Sequence, residues 1–158
     1  MYEIDKEKYK ELIPEPTPTE QLPEFVMEKY FEEFIIKNFD KIFKGRLTLY
    51  NDQEESKAQQ RIMLDDENKQ IGRLDLLAKD SSGNFVVIEL KKGKESDQVI
   101  GQLLRYMGWV KEKLCIDTQD VRGLIICKKI DSKLKYSLIP VADKISVKEY
   151  TMDFKLVD

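Results

Sequence analysis

Two short stretches carry charge at strand spacing: Gly72-Arg73-Leu74-Asp75 and Val87-Ile88-Glu89-Leu90-Lys91. Between them, Asp80-Ser81-Ser82-Gly83-Asn84 is dense in turn formers, so the runs Ile71–Lys79 and Phe85–Lys92 are expected to pair as a hairpin. Side chains alternate along a strand, which puts Asp75 on the face of Arg73 and Glu89 on the face of Lys91. A hairpin closing symmetrically about Ser82 sets Asp75 directly opposite Glu89. Directly opposed residues hold their Cβ atoms about 4.5–5.5 Å apart, and like charges there are destabilising. Two such carboxylates need a cation between them or a shared proton. A hard divalent ion is the simpler answer, because Mg²⁺ takes one or two carboxylates together with waters and phosphate oxygens. Lys91, one strand step further on the same face, would then hold an attacking water or a phosphate oxygen. Charged groups at strand ends are usually just solvated. Here Leu74, Leu76, Leu77, Phe85, Val86, Val87, Ile88 and Leu90 make both runs apolar on both faces, which sets the charges beside core.

The rest of the chain supplies the elements that hold this hairpin. A helix over about residues 95–114 carries Val99, Leu103, Met107, Val110 and Leu114 on one face. Gln102 and Tyr106, four apart, flank that stripe and would point at the ion or at a phosphate if the helix packs beside the hairpin. Trp109 on the same edge is read as a partly buried packing residue. An earlier helix, capped by Thr19 and ended by Gly45, has the stripe Met27, Phe31, Phe34, Ile35, Asn38 and Ile42. On a wheel centred on Phe31, Glu33 falls in solvent, while Glu32 falls about 100° away at the buried margin, where it would supply a further carboxylate. Glu28, one turn back, is the fallback. Prolines at 14, 16, 18 and 23 make residues 1–23 an extended arm or linker, leaving 24–158 as one domain. Strands are further expected at Leu47–Tyr50, Arg61–Leu64, Val121–Cys127 and Ile145–Val157, with a short helix at Asp131–Ile139 stopped by Pro140. Val121–Cys127 is uninterruptedly apolar at its centre, as a strand covered on both faces must be. This order predicts the α/β class: a mixed central β-sheet flanked by helices.

Composition removes several chemistries. The 158 residues contain no histidine, so no Ser-His-Asp triad, Cys-His dyad, His-metal nuclease or zinc-deaminase site can be built. Cys115 and Cys127 have no partner ligands and do not suggest zinc. The 27 Lys+Arg nearly cancel the 30 Asp+Glu, which excludes a histone-like basic coat and an acidic disordered tail. The N-terminus lacks the apolar stretch of a signal peptide, and no segment approaches the ~18 consecutive apolar residues of a membrane span, so a cytoplasmic protein without membrane contact is expected.

Taken together, Gly72-Arg73-Leu74-Asp75, Val87-Ile88-Glu89-Leu90-Lys91 and Gln102-Leu103-Leu104-Arg105-Tyr106 resemble the PD-(D/E)XK nuclease superfamily, and within it the nuclease domain of the NucS/EndoMS endonucleases. That domain carries G-R-x-D, a Gly-containing turn, V-x-E-x-K and a Q-L-x-R-Y helix, and Phe31-Glu32 resembles the Leu-Glu of its first helix. The likeness covers about residues 24–127. Leu74 stands where the superfamily has its name-giving Pro. The resemblance implies a restriction-endonuclease-like core and a Mg²⁺- or Mn²⁺-dependent nuclease hydrolysing DNA phosphodiesters. Asp75, Glu89 and the backbone carbonyl of Leu90 would bind the metal, Glu32 would support a metal-bound water, and Lys91 would orient the nucleophile or offset developing charge. Gln102, Tyr106 and Arg73 would position the site or contact phosphate.

NucS proteins also carry a separate N-terminal DNA-binding domain, whereas this chain begins almost at the nuclease helix. A homodimer or a separate DNA-recognition subunit is therefore the expected arrangement for engaging DNA. The competing expectations are a catalytically weak or inactive nuclease-fold module that binds DNA or a partner protein, and an enzyme acting on RNA.

Overall fold

The computed structural model describes residues 24–50, 61–91, 96–151 and 156, with side chains from residue 30 onward and from 62 in the second stretch. The expected arm at 1–23, the Thr19 cap, and the side chains of Met27 and Glu28 lie outside the described residues. The chain divides into two compact units, residues 1–38 with 151–158, and residues 39–150.

Within the first unit, helix α1 spans Glu24–Lys37 and buries Phe31, Glu32 and Ile35. Glu33, expected in solvent, is half-buried. The sequence predicts one helix running on to Gly45, but the helix stops at Asn38. There the side-chain Nδ2 donates to the Phe34 carbonyl at 2.9 Å, alongside the backbone N–H of Asn38 at 3.1 Å. Asparagine competes for backbone partners in this way, which is why it favours helix ends over interiors.

The second unit begins with the short helix α2, Phe39–Phe43, closed by Lys44 and Gly45 at positive φ. Among the described residues, seven strands follow: β1 Leu47–Leu49, β2 Arg61–Leu64, β3 Gln70–Leu74, β4 Leu76–Asp80, β5 Phe85–Leu90, β6 Val121–Cys127 and β7 Ile145–Glu149. Helix α3, Ser96–Lys113, connects β5 to β6; helix α4, Ser132–Leu138, and a 3-10 turn, Ile139–Val141, connect β6 to β7. Five strands form a sheet in the order β1-β4-β5-β6-β7, and β2 and β3 form a separate ribbon. Pairing is antiparallel from β1 through β5 and parallel from β5 through β7, so the sheet is mixed, as expected.

The hairpin register is the one a closure about Ser82 requires: Leu76 faces Ile88, Leu77 faces Val87, Ala78 faces Val86 and Lys79 faces Phe85. Asp80 builds the turn, its Oδ1 accepting the N–H groups of Ser82 and Asn84 at 2.9 and 3.0 Å, with Gly83 at positive φ. This is the Asx chemistry that makes such a sequence turn.

The core lies between the sheet and α3, where Leu77, Phe85, Val87, Ile125 and Cys127 meet Val99, Leu103, Met107 and Val110. The expected helix stripe is buried as far as Val110, and Leu114 is half-buried. Gly123 of β6 permits this approach, since a Cβ there would stand 2.9 Å from both Leu103 Cδ2 and Met107 Sδ. The alternate row, Leu76, Ala78, Val86, Ile88, Leu90, Leu124 and Ile126, is equally buried, so both faces of the central strands are covered.

Two of the strand expectations need correction. The run Ile71–Lys79 is not one strand, because the chain leaves the β2–β3 ribbon at Asp75 and joins the five-stranded sheet. The last strand ends at Glu149 instead of reaching Val157, and residues 152–155, 157 and 158 lie outside the described ones. The short helix expected before Pro140 is present as Ser132–Leu138, and Pro140 sits in the first turn of the 3-10 segment that follows. Among the described residues, no helix is long and apolar enough to cross a membrane.

Candidate active site

Asp75 occupies the bend between β3 and β4, directly before Leu76, whose register partner on β5 is Ile88. Its carboxylate turns onto β5, where Oδ2 accepts the Leu90 N–H at 2.9 Å. The N–H and C=O of one strand residue point to the same side. The Lys91 N–H meanwhile donates across to Ile126 of β6 at 2.9 Å. The Leu90 carbonyl therefore emerges on Asp75's side of the strand. Glu89 continues the Phe85–Val87 row that packs under α3. Both acids are buried, Asp75 at 8% exposure and Glu89 at 1%. Carboxylates are almost never so deeply buried without specific compensation.

The alternation that would put Arg73 on the face of Asp75 ends at the bend. Arg73 is exposed on the ribbon, with Ile62 as its register partner. Glu32 is buried on α1, in the other unit.

Helix α3 holds the ribbon at several points along one edge. Trp109 Nε1 donates to the Leu64 carbonyl at 2.9 Å, Arg105 Nη1 to the Ile71 carbonyl at 3.4 Å, and the Lys113 ammonium to the Asp66 carboxylate. The Lys113 ammonium holds the Asp66 carboxyl below its usual range. Trp109 is half-buried, as expected, but its indole is a clamp as well as packing. Tyr106 is buried with its ring against Gly72, and Gln102 is half-buried. Gln102 and Arg105 also line an open groove with Asp97, Gln98 and Gly101.

Gly72 is thus a close-approach glycine. A Cβ there would lie 2.5 Å from Tyr106 Cε1 and 2.8 Å from its Oη. Gly72→Ala is expected to push Tyr106 out of place and destabilise the fold by about 1–3 kcal/mol, the ordinary cost of overpacking. Urea unfolding measures this directly. Gly72→Ala combined with Tyr106→Leu should recover part of the loss, and an unchanged midpoint for the single variant would contradict the packing.

Lys91 has a partner that sequence spacing did not suggest. Its ammonium lies 3.8 Å from Oδ2 of Asp131, the residue that caps α4. The Asp131 carboxylate also accepts from Ser96 Oγ, at 2.9 Å to Oδ1 and 3.1 Å to Oδ2, and from the Leu134 N–H at 2.8 Å. The Leu134 N–H and then the Ser96 hydroxyl hold the Asp131 carboxyl below its usual range. In sequence, Asp131 is only the start of a short helix; an Asp at that place is the usual signal of an N-cap and nothing more. Cys127 is buried, and that burial pushes its thiol up while the nearby Lys91 charge pulls the other way.

A mixed sheet with two buried acids at the junction of its antiparallel and parallel halves defines the chain as an α/β domain with an acidic strand-end site. The model of the Endonuclease NucS C-terminal domain matches residues 27–140, and the chain belongs to that family. Among curated proteins, it is similar to Endonuclease NucS of Sulfolobus acidocaldarius, 32% identical over 81 residues that cover 47% of this chain and 31% of that protein. Endonuclease NucS of Methanocaldococcus jannaschii is 33% identical over 84 residues, covering 53% of this chain and 28% of the relative. The likeness thus spans about a third of each curated relative. Among solved structures, an EndoMS–double-stranded DNA complex aligns over 86% of this chain and 49% of its own with TM-score 0.54 and 20% identity. A repair endonuclease from Pyrococcus abyssi aligns over 85% of this chain and 49% of its own, with TM-score 0.50 and 21% identity. At these identities the structural likeness concerns the fold.

Proposed function

We propose that this chain is a metal-dependent nuclease module of the PD-(D/E)XK type that hydrolyses DNA phosphodiesters. The observation that carries the reading is the Asp75 carboxylate turned onto the Leu90 backbone beside buried Glu89. Among the described residues, no group of three or more His, Cys, Asp or Glu side chains could hold an ion. The donor set of this reading is instead two carboxylates with the Leu90 carbonyl on Asp75's side of the strand, all hard oxygens. Such a set suits Mg²⁺ or Mn²⁺, which complete their shells with water and phosphate oxygens, and it suits zinc poorly. Two buried anions, one of them turned onto the strand that carries the other, also gain from a divalent charge between them.

Asp75 and Glu89 would hold the ion, which when bound polarises the phosphoryl group and eases ionisation of a water. Lys91 would offset charge developing on the phosphate, a role that needs a donor aimed in advance. Tyr106, by packing on Gly72, would fix the approach of the ribbon to Asp75. Gln102 and Arg73 would contact the phosphate backbone, which positions a strand without reading its sequence. With charge nearly balanced and the likeness spanning about a third of the curated relatives, most DNA affinity would come from another domain or subunit.

The test is cleavage of supercoiled, linear and single-stranded DNA and of RNA, with Mg²⁺ or Mn²⁺ and with chelator. The expected outcome is nicking or cutting of DNA that EDTA abolishes and added Mn²⁺ restores. DNA cleavage that persists in EDTA contradicts the metal-dependent reading. Cleavage of RNA alone contradicts the DNA assignment, and no cleavage of any substrate favours a binding module.

A further inference from the structure

We infer that Asp131 is a positioning residue that aims the Lys91 ammonium, with Ser96 locking Asp131 in place. The inference rests on the reading of Lys91 as part of a phosphodiester-cleaving site. A helix cap needs one side-chain acceptor, and Ser, Thr or Asn supplies it about as well as Asp. Asp131 uses Oδ1 for that purpose, on the Leu134 N–H at 2.8 Å. Its second oxygen faces Lys91 at 3.8 Å, a relation the cap does not require.

Ser96 shows the same excess. It opens α3 and is 1% exposed, and its single O–H is shared between the two Asp131 oxygens at 2.9 and 3.1 Å. That bond ties the first turn of α3 to the cap of α4, so the carboxylate is fixed by two helices at once. Lys91 follows directly on β5, and its side chain is 15% exposed. A lysine stem has rotamer freedom worth about 2 kcal/mol, so an ammonium in a site needs an anion to give it one direction. The Asp131 side chain is 51% exposed, and an ion pair so open to water adds little stability. What the pair sets is where the ammonium points, two residues along the chain from Glu89.

The experiment compares wild type, Asp131→Asn, Lys91→Met and the double variant in the Mn²⁺ cleavage assay, with thermal unfolding of each. Asp131→Asn keeps the oxygen that caps α4 and removes the charge facing Lys91. Its kcat should fall about 10-fold or more, the usual range for a residue supporting a reactive group, with KM within about 2-fold and an unchanged melting temperature. In the Lys91→Met background the same substitution should change kcat by less than about 2-fold, because the residue it acts through is gone. An unchanged kcat in the single variant overturns the inference, and so does an equal loss in both backgrounds, which marks a purely structural role. A crystal structure of Asp131→Asn supplies a readout independent of cleavage. Lys91 should lose its ordered position, and an unmoved Lys91 overturns the inference. If wild type cleaves nothing but Lys91 moves in the variant, the nuclease reading fails and the anchoring stands.

Discussion

Glu89→Gln and Asp75→Asn should each lower metal-dependent cleavage by about 10³-fold, or about 4 kcal/mol of transition-state stabilisation. Both replacements are near-isosteric, and Asn can still accept the Leu90 N–H that Asp75 Oδ2 takes at 2.9 Å. What they remove is one of two buried carboxylates, with Asp75 turned onto the strand that carries Glu89. The consequence for stability has opposite signs with and without metal. Without it, losing one carboxylate relieves like-charge repulsion and a buried charge, so the melting temperature holds or rises. With Mn²⁺ present, wild type gains stability because the ion binds the folded state, and the variants gain much less. Single-turnover cleavage and thermal unfolding with and without Mn²⁺ read both effects. A variant that keeps wild-type cleavage, or one that is destabilised equally in chelator and in Mn²⁺, contradicts the assignment.

Lys91→Met should cost about 10²–10³-fold in kcat with little change in stability. The stem of Lys91 packs at the end of β5, which Met replaces in length and apolar character. Its ion pair with half-exposed Asp131, at 3.8 Å, contributes little to folding. The loss should appear in kcat more than in the metal concentration needed for half-maximal rate, because an ammonium does not ligate the ion. Metal titration of the rate separates the two. A large rise in the metal requirement with kcat unchanged would assign Lys91 to binding instead of catalysis.

The hairpin was legible in the sequence because two local signals agreed. Side chains alternate with a period of two, and Asp80 to Asn84 carries turn chemistry that fixes where the register closes. Together they predict Asp75 opposite Glu89, and the register they imply is observed as far as the Leu76–Ile88 pair. The buried stripe of α3 was legible for the same reason, its period being local. The break at Asp75 was not. Ile71–Gly72 and Leu76–Leu77 read equally as strand, and which partner each run takes depends on sheets assembled from distant parts of the chain. The stop at Asn38 was hidden because Asn38 and Ile42 continue the helical period, while the side-chain bond that ends the helix leaves no periodic trace.

The ribbon clamps were missed for a related reason. Trp109 and Arg105 bond to backbone carbonyls of Leu64 and Ile71, and a carbonyl acceptor has no residue type to recognise. Lys113 with Asp66 joins residues 47 positions apart, beyond any spacing rule. Asp131 was legible only as the first residue of a short helix, and its carboxylate became meaningful only once α3 and α4 were seen to start beside the end of β5.

The most direct test is a crystal soaked in Mn²⁺ and measured at a wavelength where manganese scatters anomalously. One peak is expected, about 2.1 Å from a carboxylate oxygen of Asp75 and from one of Glu89, with the Leu90 carbonyl completing the protein's share of the shell. A peak held by only one of the two acids, or none between them at saturating Mn²⁺, contradicts a shared ion and the chemistry built on it.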